Sequence, residues 1–65
     1  MEFTKALQKL CEEAGVRHIY RKDWPHILYF CRLSRYLMIG NREELTPYTL
    51  SIYDFDYEWE IYYNR

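Results

Sequence analysis

Four carboxylates near the end of the chain have the spacing with the most chemical content. From Tyr53 to Tyr63 the residues alternate: Tyr53, Phe55, Tyr57, Trp59, Ile61 and Tyr63 take one parity, and Asp54, Asp56, Glu58 and Glu60 take the other. Period-2 alternation predicts a β-strand with one aromatic face and one carboxylate face. On such a strand same-face neighbours stand about 6.7 Å apart, so the four acids would form a line about 20 Å long. Like charges this close repel and add nothing to the fold. Three readings follow. The row serves as a docking surface for a protein partner with a basic surface, one that holds nucleic acid included, with Tyr62 and Tyr48 as its aromatic rim. It is a solvated face that prevents edge-to-edge aggregation. Or it pairs internally with Arg17, Arg21, Arg32 or Arg35 on a neighbouring strand.

A second set lies upstream. Arg17, His18, Tyr20, Arg21, Lys22, Trp24, His26, Arg32, Arg35, Tyr36 and Arg42 mix basic and aromatic side chains. This is the chemistry of single-stranded nucleic-acid binders, which combine phosphate contacts with base stacking. No RNP-type, KH or zinc-knuckle pattern accompanies it, and the pI near 6.1 is low for a nucleic-acid domain. Nucleic acid is therefore the alternative partner, with Arg17, Tyr20, Arg21, Lys22, Trp24, Arg32, Arg35 and Tyr36 as its site.

Metal and nucleophile chemistry find less support. Cys11, His18, His26 and Cys31 are separated by six, seven and four residues, without the paired knuckles that structural zinc prefers. Both cysteines sit among apolar neighbours and read as small hydrophobes. Cys31 with His18 or His26 is the one formal nucleophile–base pair, and no nucleophile elbow accompanies it. A chain of 65 residues with 2 Gly has little room for a catalytic cleft or a glycine-rich phosphate loop. The expectation is a protein that is not an enzyme and needs neither metal nor cofactor.

Elements must position these residues. Phe3, Ala6, Leu7, Leu10, Cys11 and Ala14 recur at the helical period, which predicts an amphipathic helix over 3–14 with Gly15 as a left-handed cap. Residues 16–22 form a half-polar strand, broken at 23–26 by Pro25. Ile27-Leu28-Tyr29-Phe30-Cys31 is apolar on both parities, as a central strand is. A hairpin turn at Arg32–Arg35 leads to the apolar run 36–39 and a turn at Gly40-Asn41. A helix over 24–39 is the competing reading, but its polar residues fall on all sides of a helical wheel. Residues 43–47 read as a loop, and a bulge near Ile52–Tyr53 would keep one apolar face continuous. The fold class is α+β: a single domain over 1–65, β-rich over 16–63, with one helix on a twisted antiparallel sheet of three to five strands.

The net charge of −1 conceals a gradient. Residues 1–42 carry +4 and residues 43–65 carry −5. Such asymmetry points to a charged partner or to self-complementarity. No apolar run is long enough to span a bilayer and no signal segment opens the chain, so a cytoplasmic location is expected. A very small, aromatic-rich chain with a carboxylate row resembles in type the small inhibitors of phages and mobile elements, such as anti-restriction or anti-CRISPR proteins. That resemblance implies a location in the host cytoplasm and the blocking of one basic groove. The other reading of the C-terminal strand is structural: it adds to a partner sheet, or joins two copies as a homodimer through an edge strand.

Overall fold

An apolar stripe dictates the first element of the computed structural model, which describes residues 1–40 and 44–63. Phe3, Ala6 and Leu10 recur on one side of a helix and are buried, and α1 runs Phe3–Glu12. It stops before the end of the stripe because Glu13 turns to extended backbone, its N–H donating to the Lys9 carbonyl at 2.9 Å. Gly15 is not the left-handed cap, since no glycine among the described residues has a positive φ. The exit from the helix is instead closed by the Val16 N–H on the Glu13 carbonyl.

Five strands follow: β1 Val16–Tyr20, β2 Ile27–Cys31, β3 Tyr36–Gly40, β4 Leu45–Pro47 and β5 Glu60–Tyr63. They form one antiparallel sheet in the order β4-β3-β2-β1-β5. One helix on such a sheet is the α+β architecture expected from the sequence. Residues 24–39 are a hairpin rather than a helix. Arg35 closes its turn, with its N–H 2.7 Å from the Cys31 carbonyl and its φ at 62°. Residues 45–47 form a short edge strand where a loop was expected. Pro47 is tolerated there because an edge strand does not need every N–H. Gly40 permits this close approach, since a Cβ on it would overlap the Glu44 carbonyl oxygen. Asn41, Arg42, Glu43, Asn64 and Arg65 lie outside the described residues, and so does the second half of the Gly40-Asn41 turn.

The predicted strand over 53–63 does not form as a unit. Ile52–Asp56 is a 3₁₀ helix, and β5 begins at Glu60. Local hydrogen bonding overrides the alternation. The Ser51 hydroxyl accepts from the Tyr53 N–H at 3.2 Å, and an Asp54 carboxylate oxygen accepts from the Ser51 N–H at 3.0 Å. This reciprocal pair is a capping box, which offers the backbone a better local solution than a ladder. The bulge lies elsewhere, in the β1–β5 pairing between Val16 and His18.

Registers divide the sheet into two faces. Ile61, Ile19, Leu28 and Ile39 are cross-strand partners in one row, and Phe30 faces Leu37 in the next. This side receives α1. Phe3, Ala6, Leu10, Val16, Ile19, Leu28 and Trp59 are buried together as the core. Tyr62 pairs with His18, Tyr20 with Ile27, and Tyr29 with Met38 on the opposite side, to which α1 contributes nothing.

Candidate interaction surfaces

The four carboxylates of the sequence pattern are dispersed. Asp54 is 2% exposed and turns inward, where both its oxygens accept from the Tyr48 hydroxyl, at 2.8 and 2.9 Å. Asp56 is exposed on the 3₁₀ helix. Glu58 is exposed and pairs with the Met1 ammonium group. Glu60 starts β5 and stands 3.9 Å from Lys22. The straight acidic row therefore does not exist, and its internal pairing involves Lys22 and the chain's first residue rather than the four arginines. Tyr48 is half-buried over Asp54, not a rim residue; burial and the hydrogen bond to Asp54 push its hydroxyl up to about 12. Tyr62 is exposed on the open sheet face.

The aromatic parity divides too. Trp59 is fully buried, donating its indole N–H to the Asp54 carbonyl at 2.8 Å, and its ring lies 4.9 Å from that of Phe3. Ile61 is half-buried on the covered face. Phe55 and Tyr57, which share their parity in the sequence, are exposed. A 3₁₀ helix eclipses residues three apart, which sets Ile52 over Phe55 and Tyr53 over Asp56. Leu50, Ile52, Tyr53, Phe55 and Tyr57 are 50%, 77%, 65%, 59% and 49% exposed, a concentration of apolar surface within eight residues. The sequence signal for this turn was present as Ser51-x-x-Asp54, the spacing of a capping box.

The basic-aromatic set is also distributed over several places. The Arg21 guanidinium is stacked between the Trp24 and Tyr57 rings, 4.0 Å from each centroid, and lies 5.0 Å from Trp59. Its Nε is buried without a hydrogen-bond partner among the described residues, so Arg21 works as a cation–π spacer inside the molecule. Lys22 is engaged with Glu60, and Arg32 reaches the Glu13 carbonyl at 3.4 Å. Arg35 and Tyr36 are exposed at the β2–β3 turn and Arg17 is exposed at the bulge. His18 and Tyr20 of the set stand on the open face, Tyr20 at the end of β1.

That open face was not singled out from the sequence. His18 and Tyr62 stack with ring centroids 4.7 Å apart and 2° between planes, with Tyr20 edge-on at 6.0 Å from His18. Beside them a groove is lined by Arg17, His18, Pro25, Ile27, Tyr29, Leu45 and Tyr62. Burial, with a smaller contribution from the Arg17 charge, pushes the His18 imidazole below its ordinary value, and His18 Nδ1 has no hydrogen-bond partner. The available signal was the apolar character of 27–31 on both parities in a chain with one helix to spend on one face.

The cysteines remain apart from these surfaces in chemistry. Both are free, and the Cys31 thiol is held below its ordinary value by hydrogen bonding with Ser34, whereas burial raises Cys11. Among the described residues no three His, Cys, Asp or Glu side chains gather as a metal site, and no helix is long and apolar enough to cross a membrane. The chain matches no protein-family model, no curated protein and no solved structure.

Proposed function

We propose that this chain is a non-enzymatic interaction protein that docks a protein partner with a basic surface and blocks it, using residues 50–58. The supporting observation is the exposure of Ile52, Tyr53 and Phe55 beside the exposed carboxylates Asp56 and Glu58. Contiguous apolar surface on a small protein marks interaction sites, and aromatic side chains are the usual energetic anchors. The acids around them select a basic partner and steer its approach. Asp54 and Tyr48 hold the turn from inside, so their role is positioning; Glu60 and Tyr62 of β5 lie apart from it, on the open sheet face. This differs from a flat acidic strand, because the anchor is an aromatic knob with charge at its rim.

The test is capture by the immobilised chain from a cell lysate, comparing the native protein with Ile52→Ser/Tyr53→Ser and with Asp56→Lys. All three residues are exposed, so circular dichroism should stay unchanged. The expected result is a partner retained by the native chain, lost from the double variant and weakened by Asp56→Lys. Equal capture by all three proteins would remove residues 50–58 from the binding surface.

A further inference from the structure

The sheet has a second apolar side that the fold leaves bare. An antiparallel sheet with one solvated face normally alternates apolar residues inward with polar residues outward. Here the outward positions of β1, β2, β3 and β5 include His18, Tyr20, Ile27, Tyr29, Met38 and Tyr62. At the centre of this side no residue carries a full charge, and charge is confined to its ends. Arg17 is exposed at the bulge end of β1, and Glu60 lies beside Tyr20 at the other end.

We propose that this face is an isologous interface at which two copies of the chain pack sheet against sheet. Charge complementarity favours a second copy over other occupants. A two-fold axis lying between the sheets and running across the strands exchanges the two ends of β1. It therefore brings Arg17 of one copy toward Glu60 of the other, twice per dimer, while His18, Tyr29, Met38 and Tyr62 meet near the axis. A nucleic acid would instead need a basic rim, and Glu60 sets a carboxylate at one end of this face. The extent of the face sets the strength. Five strands about 4.8 Å apart and three to five residues long give a flat footprint of about 350 Å². A standard interface takes about 800 Å² from each partner, so the dimer belongs to the weak class and dissociates in roughly the micromolar range.

Sedimentation and light-scattering mass of the intact chain, from about 5 to about 500 µM, test this directly. The expected mass rises from the 8.2 kDa monomer toward twice that value as concentration increases. Tyr62→Glu and Leu45→Glu, at half-exposed positions on opposite edges of the face, should each raise the dissociation constant at least about tenfold with the fold retained. A mass of one chain at every concentration overturns the proposal. So does self-association that both variants preserve, which would place the contact on the free edges of β4 or β5. If either variant loses its circular dichroism, dilution of the native chain followed by NMR decides. Shifts of His18 and Tyr62 ring resonances support the sheet face; shifts confined to 50–58 refute it.

Discussion

The two faces of the sheet are built from the same strands and differ in what lies against them. On the covered side Ile19 and Leu28 are sealed beneath α1 and Trp59, in contact with Phe3, Ala6 and Leu10. On the open side Ile27, Tyr29 and Met38 occupy the neighbouring positions of the same ladders but keep part of their surface exposed. Strand residues apolar on both parities are what a sheet buried on both sides requires. One helix of ten residues covers one side, and the other retains its apolar character without a cover from the described residues. The lesson is that apolar strand pattern alone does not say which of two faces a helix will cover.

Removing a large side chain from each face should give very different losses. Trp59→Ala deletes the largest fully buried side chain and is expected to cost about 3–5 kcal/mol, enough to unfold a domain this small. Tyr29→Ala on the open face should cost about 1 kcal/mol or less in the monomer. Urea denaturation followed by circular dichroism compares them at low protein concentration. Equal losses would mean that the open face is part of the folding core.

Asp54 supplies the next effect, because it is the buried polar support of the covered side. Asp54→Ala leaves the Tyr48 hydroxyl and the Ser51 N–H without an acceptor and should cost about 1–3 kcal/mol. The same variant should return Tyr48 toward its ordinary value of 10, seen as the loss of the latest-titrating phenol in ultraviolet absorbance. In the native chain Tyr48 stays neutral to about 12 while the unfolded phenol ionises near 10. Its contribution to stability is therefore present below pH 10 and is lost as pH rises from there through 12.

The smallest effect belongs to the open face and has the opposite pH direction. His18 sits below its ordinary value of 6.5, since burial disfavours the cation and the neighbouring Arg17 charge adds to that. The unfolded chain thus takes the proton first, and stability should fall as pH drops through 6.5 and flatten below the folded value. His18→Gln should abolish this acid limb in a series of urea midpoints across pH 5–8. An unchanged acid limb in that variant would assign it to the carboxylates instead.

How much of this was legible depends on how far each residue's partner lies along the chain. The stripe of Phe3, Ala6 and Leu10 needs nothing beyond helix period and burial, and α1 follows it. The β2–β3 hairpin was equally readable, because its two apolar runs flank a four-residue turn. Residues 53–63 misled for a physical reason. Alternation records which residues are apolar, but Ser51 and Asp54 close a capping box three residues apart, and Tyr48 then draws Asp54 inward. The acidic row was thereby converted into one buried acceptor and three separated surface charges. Leu45–Pro47 misled similarly, as a proline-ended segment becomes a strand only when β3 presents an edge with Gly40 opposite.

By itself the sequence determined the fold class, the helix stripe, the hairpin and the concentration of aromatic and acidic residues in the last third. These rest on local periodicity, turn chemistry and composition, which act over a few residues. Only the tertiary structure decided which aromatics are core and which are surface. Trp59 is inside because Phe3 packs on it from the far end of the chain and the nearby Asp54 carbonyl accepts its N–H, whereas Phe55 and Tyr57 stand exposed on and just after a short 3₁₀ turn. It alone decided that Arg21 is stacked between Trp24 and Tyr57, and that His18, Tyr29 and Tyr62 share an uncovered face. Burial and charge pairing are properties of neighbours in space, and no spacing along the chain fixes them.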